Sequence, residues 1–115
     1  MSDSPFPQPA RRLRIYINEG DHWHGKPLEA ALLDVLREHG AAGATLFRGA
    51  AGFGAHRRVH TTSIEVLAFD LPVVIEVIDT PEKAAALLEV IAPMVAKGLI
   101  TGEDVQVLLY HRPPS

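Results

Sequence analysis

Val73-Val74-Ile75-Glu76-Val77-Ile78 runs straight into Asp79-Thr80-Pro81, and this junction decides the fold. A short run that is apolar on both faces of an extended chain suits a central strand. Thr80 is a good helix N-cap, and Pro81 a good first helical residue, because the N–H it lacks has no partner there anyway. Ala84, Leu87, Leu88, Ile91 and Val95 then recur along one helical stripe. Pro93 falls inside that stripe and removes the hydrogen bond to the Glu89 carbonyl, so a kink or an early end is expected. Gly98 stops the helix, and Val105, Val107 and Leu109 mark a last strand.

Working back toward the N-terminus, Leu13, Ile15 and Ile17 alternate with Arg14, Tyr16 and Asn18, the period of a half-buried strand. Pro27 can open a helix at its first position. Leu28, Ala31, Leu32, Val35 and Leu36 follow at helical spacing, with Gly40 as the stop. A short strand is expected over Ala44 to Phe47, and Thr62 to Leu67 alternates again. The order is β-α-β, a loop, then β-β-α-β. Setting aside the strand nearest the loop leaves β-α-β-β-α-β, the α+β ferredoxin-like arrangement, with a long loop between the second and third strands. Two helices cover one face of such a sheet. No further helix remains for the other face, so subunit association is its natural cover.

At 115 residues the chain is one domain by size. Pro5, Pro7 and Pro9 among small polar residues give residues 1–11 the composition of a disordered tail; 12–111 should form the domain and 112–115 a C-terminal tail. A formal net charge of -3 argues against a general nucleic-acid binder. With no cysteine there is no disulfide framework, thiolate metal site or cysteine nucleophile. The first residues hold no long apolar run and no segment has the length of a membrane span, so a cytoplasmic protein is expected.

Between the expected second and third strands lies Phe47-Arg48-Gly49-Ala50-Ala51-Gly52-Phe53-Gly54-Ala55-His56-Arg57-Arg58-Val59-His60. Closely spaced glycines let successive backbone N–H groups turn inward as an anion-binding nest, and neighbouring arginines can clamp phosphate oxygens with a two-pronged grip. The same composition also serves a plain flexible hairpin connection. No Gly-Lys-Ser/Thr closes the loop, so it is not a Walker A loop, and neither the glycine order nor a following helix fits a dinucleotide fingerprint.

The chain resembles the PII signal-transduction proteins and, more closely, a PII-like family long catalogued as a conserved domain of unknown function. The likeness spans nearly everything from Leu13 to Tyr110. It is carried by Arg14-Ile15-Tyr16-Ile17, by Gly25-Lys26-Pro27-Leu28, and by Arg37-Glu38-His39-Gly40-Ala41-Ala42-Gly43-Ala44-Thr45 leading into Phe47-Arg48-Gly49. Its most specific stretch is Ala51-Gly52-Phe53-Gly54-Ala55-His56-Arg57, followed by Asp70-Leu71-Pro72-Val73-Val74-Ile75-Glu76. The resemblance implies a homotrimer with adenine nucleotides in clefts between subunits. It places Gly52, Phe53 and Gly54 at the root of a mobile loop, from about Ala55 to about Phe69, that docks on a partner such as a membrane transporter or channel. It puts Gly98-Leu99-Ile100-Thr101-Gly102 in a second loop that touches phosphates. The nucleotide-binding residues expected are thus Arg48, Gly49, Gly52, Phe53, Gly54, Arg57, Arg58, His60, Gly98 and Thr101.

Departures from the PII pattern narrow the ligand. Thr101-Gly102-Glu103-Asp104 stands where PII proteins carry a longer basic Gly-Asp-Gly-Lys loop, and Arg112 alone stands near the C-terminal Arg-x-Arg. The tyrosine that PII proteins have modified is absent from the mobile loop. Fewer positive charges for the outer phosphates favour AMP or ADP over ATP. Arg48, Arg57 and Arg58 can equally pair with acidic residues of a neighbour, or dock the loop on an acidic partner. A bicarbonate, fluoride-related or second-messenger ligand in the same loop is a smaller alternative.

His22-Trp23-His24 would set two imidazoles on one side of an extended chain, near Glu19 and Asp21, while His56 and His60 are four apart. Imidazole with carboxylate suits zinc, copper or nickel. No tight ligand quartet is visible, so no bound metal is expected. A metal-responsive or purely structural trimer of the CutA type, without nucleotide, is the alternative function. No nucleophile elbow, kinase signature or zinc-protease pair occurs, and no enzyme is expected.

Overall fold

The structure, a computed structural model, describes residues 6–52, 60–61 and 71–111. Strand β1 (Gln8–Asn18) leads through a small hairpin, β2 (His22–Trp23) and β3 (Lys26–Pro27), into helix α1 (Leu28–Glu38). Then come β4 (Thr45–Arg48), β5 (Ala51–Gly52), β6 (His60–Thr61) and β7 (Pro72–Asp79). Helix α2 (Pro81–Ile91) continues as a 3-10 turn, Ala92–Met94, and β8 (Leu99–Val107) follows. The main sheet has the order β4-β7-β1-β8, with every neighbouring pair antiparallel. With α1 and α2 on one face this is the ferredoxin-like α+β fold. The expected strand over Thr62 to Leu67 lies outside the described residues.

Helix α2 begins where Thr80-Pro81 predicts and takes the early end that Pro93 allows, so it never reaches Gly98, the stop that the sequence predicts. The Thr80 hydroxyl accepts the Lys83 N–H at 3.2 Å, Pro81 opens the first turn, and the α-helical turns stop at Ile91, two residues before Pro93. Pro27 behaves differently from expectation. It sits one position before α1 with ψ 132° and pairs with His22 in the hairpin, while the Leu28 N–H donates to the Asp21 carbonyl at 2.8 Å. The hairpin itself thus supplies the first capping interaction of α1. At the other end of α1 the Gly40 and Ala41 N–H groups return to the Arg37 and Leu36 carbonyls, closing the helix as Gly40 foretold.

Leu13, Ile15 and Ile17 face Val77, Ile75 and Val73 across the β1–β7 ladder. These six pack against Leu28, Ala31, Leu32 and Leu36 of α1 and Ala84, Leu87 and Ile91 of α2, with Met94 beyond them, as one core. Asp79 is the one buried polar residue among those described; its carboxylate accepts the Ala42 and Thr80 N–H groups at 2.9 and 2.8 Å. It thereby ties the α1–β4 connection to the start of α2.

Two boundaries differ from the sequence reading. Residues Gln8–Ala10, placed in the N-terminal tail, pair with Val105–Val107, so β1 starts among the prolines. Among the described residues the β7 ladder begins only at Arg11, so Pro9 pairs with β8 at the margin of the sheet, where a proline is tolerated. The last strand starts at Leu99 and ends at Val107, so Leu99–Gly102 is strand rather than loop and Leu109 lies beyond the ladder. No helix among the described residues is long and apolar enough to cross a membrane.

Candidate functional site

One end of the sheet gathers the features that the sequence singled out. There β1 and β4 finish, α1, β7 and β8 begin, and the glycine-rich segment departs. Short backbone bonds close this end: the Gly49 N–H donates to the Pro72 carbonyl at 2.8 Å, and the Glu19 N–H to the Leu71 carbonyl at 2.9 Å. Ala51 and Gly52 pair with Thr61 and His60 as a second, two-stranded sheet. The Gly49 amide expected in an anion nest is therefore committed to Pro72, and Ala51–Gly52 are strand. Gly49 is glycine for want of room, since a Cβ there would lie 2.5 Å from Pro72 Cγ. Phe53, Gly54, His56, Arg57 and Arg58 lie outside the described residues, as does the side chain of His60.

Arg48 is the charged centre of this end. Its register opposite Val73 puts it on the helix-covered face with Leu46, whereas Phe47, opposite Val74, takes the open face. Arg48 Nη1 donates to Glu19 Oε1 at 2.9 Å, and Nη2 lies 3.1 Å from Glu29 Oε2, with a longer bond of 3.3 Å to Oε1. The sequence marked Arg48 as a phosphate clamp; in the structure its guanidinium fork is filled by two carboxylates from the end of β1 and the first turn of α1. Sequence reasoning missed Glu29. Its only local signal was an acidic residue in the first turn of a helix, which is the commonest way to favour a helix dipole.

Gly98 and Thr101 are separated by their roles. Gly98, at φ 138°, carries the chain past β1 so closely that a Cβ would collide with the Tyr16 carbonyl oxygen. Thr101 lies in β8 opposite Arg14, on the open face. That face also carries Arg14 bonded to Glu76 at 3.0 Å and Arg12 bonded to Glu103 at 2.7 Å. The bond to Glu76 raises the Arg14 pKa above its ordinary value, and the bond from Arg12 lowers that of the Glu103 carboxyl. Phe47 and Leu99 flank this ladder at 51% and 56% exposure.

His22 and His24 do not converge. His24 has φ 48° in the β2–β3 turn and stacks its ring on Trp23 at 4.2 Å, while His22 Nδ1 is 2.8 Å from the Gly20 carbonyl. The extended geometry that would align the two imidazoles is thus replaced by a turn. Among the described residues no group of three ligating side chains could hold a metal. A hollow of about 180 Å³ at this end is lined by Asp21, His22, Leu28, Met94 and Lys97. A larger one of about 440 Å³ lies at the far end, between Pro9, Arg11, Pro81 and Asp104.

A protein of Aquifex aeolicus (UPF0166 protein) is 42% identical over 96 residues, which are 84% of this chain and 90% of that protein. One of Methanocaldococcus jannaschii, also a UPF0166 protein, is 33% identical over 99 residues, 85% of this chain and 91% of the other. Among solved structures, the fold is similar to CPII, a nitrogen regulatory PII-like protein from Thiomonas intermedia K12 bound to ADP, AMP and bicarbonate. That likeness has a TM-score of 0.70 and 20% identity, covering 92% of this chain and 94% of CPII. A PII-like signalling protein from Thermus thermophilus is similar with a TM-score of 0.63 and 20% identity, over 87% and 90% of the two chains. At these identities the structural likeness establishes the shared PII-like ferredoxin fold. By its match over residues 10–107, the chain belongs to the DUF190 family, described as Uncharacterized ACR.

Proposed function

We propose that the chain is the subunit of a PII-like signalling homotrimer that binds an adenine nucleotide, AMP or ADP in preference to ATP, between subunits. The ligand selects one state of the loop beyond Gly52, and that loop regulates a partner such as a membrane transporter or channel. Binding shifts populations only as far as the ligand contacts differ between loop states. The role is regulatory rather than catalytic, needs no metal, and belongs in the cytoplasm.

The observation that carries this reading is the sharing of one fold with CPII, whose structure is bound to ADP and AMP. The open sheet face supports the trimer: Phe47 and Leu99 stand exposed beside Tyr16 and Val74, and no helix of the described chain covers them. Apolar side chains gathered on an uncovered face favour association.

Thermal unfolding with AMP, ADP, ATP and zinc, alongside light scattering, tests the proposal. A ligand of the native state stabilises it by about 2.7 kcal/mol at one hundred times its Kd. AMP and ADP should raise Tm, zinc should not, and the particle mass should be three times the chain mass of 12.5 kDa. A response to zinc with none to any nucleotide would replace this reading with the metal-responsive one.

A further inference from the structure

We infer that the two leucines just past β8, Leu108 and Leu109, seat on an apolar row at the opposite end of the sheet of a neighbouring copy, so that subunits associate head to tail. The inference rests on the trimer proposed above and names the contact that holds it together.

Register sets the row. On the open face Phe47 lies opposite Val74, Val74 opposite Tyr16, and Tyr16 opposite Leu99. Each of the four strands thus adds one apolar or aromatic residue to a line across the sheet, about 15 Å long at the usual strand spacing. Its two ends, Phe47 and Leu99, are about half exposed. The next line along the face is polar: Thr45, Glu76, Arg14 and Thr101. Beyond it Arg12 lies opposite Glu103. These charges are answered within the subunit, Arg14 by Glu76 at 3.0 Å and Arg12 by Glu103 at 2.7 Å. What this face leaves without cover is the apolar row.

The leucines stand at the other end of β8. The ladder between β1 and β8 closes at Gln8 and Val107, and the next residue of β1 is Pro7, which has no N–H to continue it. Leu108 and Leu109 leave the sheet there, 72% and 67% exposed, the most exposed large apolar side chains among the described residues. Adjacent leucines in water gain from apolar cover.

Reach decides whose row they meet. Strand β8 has nine residues, Leu99–Val107. An extended strand of that length spans about 30 Å, whereas two residues span about 7 Å. The leucines therefore cannot turn back onto their own row. Contact between like ends of two copies would give a two-fold pair and leave both rows bare. Contact between unlike ends repeats around a closed ring, as a trimer requires, and covers leucines and row together.

The chain has no cysteine, so cross-linking can be directed. Full-length protein carrying Leu99→Cys with Leu109→Cys, or Phe47→Cys with Leu109→Cys, is treated in dilute solution with a short bismaleimide whose reach falls well below the length of β8. At least one pair should link copies up to a covalent trimer, with no larger species because the ring is closed. A single-cysteine variant can pass no further than a covalent dimer. If Leu109→Cys alone gives dimers as readily as the pairs give links, like ends meet and the inference is overturned. Absence of links in protein that light scattering finds trimeric overturns it too, while the trimer reading survives. Unaltered protein that scatters as a monomer removes both. Leu108→Ser with Leu109→Ser, at exposed positions outside the core, supplies a second measurement. It should raise the concentration at which the trimer half-dissociates by about a hundred-fold. An unchanged midpoint would mean that the leucines serve something other than a second copy.

Discussion

The two faces of the four-stranded sheet are made from alternate residues of the same strands, yet their chemistry is opposite. On the helix side Leu13, Ile15 and Ile17 meet Val77, Ile75 and Val73, all buried. On the open side Arg12, Arg14 and Tyr16 meet Ile78, Glu76 and Val74, with Glu103 and Leu99 from β8 and Phe47 from β4. The first face holds the subunit together through burial, which is strong and non-directional. The second joins directional ion pairs to exposed apolar side chains, a mixture that does little for one chain and suits contact between chains. The fold is thus written on one side of the ladder, and the other side is the surface on which the proposed trimer would assemble.

The sharpest way to break this contrast is to damage the covered face. Ile15→Ala removes a fully buried side chain from its centre. A loss of about 3 kcal/mol is expected from urea unfolding, with no change in which residues pair. Gly98→Ala comes next. It forces a Cβ against the Tyr16 carbonyl at a φ that L-residues avoid, and should cost about 2 kcal/mol, shown by a lower thermal midpoint. Phe47→Glu on the open face should move subunit stability by no more than about 0.5 kcal/mol while dissociating the proposed trimer in light scattering. A trimer that survives it would show that association uses another surface.

The smallest effect belongs to pH. Glu103 has its carboxyl pKa lowered from the ordinary 4.5, chiefly by the hydrogen bond from Arg12. A depressed folded value means that the charged form is favoured in the native state. Its contribution is fully present above 4.5 and fades as pH falls through the lower folded value. Asp34, lowered by its hydrogen bond from Lys26, adds in the same direction. Both pairs are solvent-facing, so Glu103→Gln should flatten only slightly the loss of stability as pH falls below 4.5, and salt should mask it.

Much of the architecture was legible because its causes are local. Thr80-Pro81 starts α2 and Pro93 ends its regular turns through stereochemistry confined to a few residues. Period-two alternation found β1 and the apolar run found β7. The N-terminal boundary was not legible: Gln8–Ala10 is extended by a partner strand about a hundred residues away, and prolines there read as tail. Pro27 read as the first helical residue because nothing nearby announces that it pairs with His22. The start of β8 was hidden in the same way, since Gly98-Leu99-Ile100-Thr101-Gly102 looks like a loop until Tyr16 and Arg14 lie beside it.

From the chain alone came not the small β2–β3 and β5–β6 pairs but the two helices, the order of the four strands of the main sheet and its uncovered face. Each of these follows from periodicity or from the backbone limits of proline and glycine, which act over a few residues. Only three-dimensional packing decided that Phe47 and Arg48 part to opposite faces, because one residue of register is invisible without the β7 partner. It alone brought Glu19 and Glu29, 29 and 19 positions away, onto one guanidinium. Charge pairing over such separations leaves no local pattern, and so this three-residue cluster was invisible in the sequence.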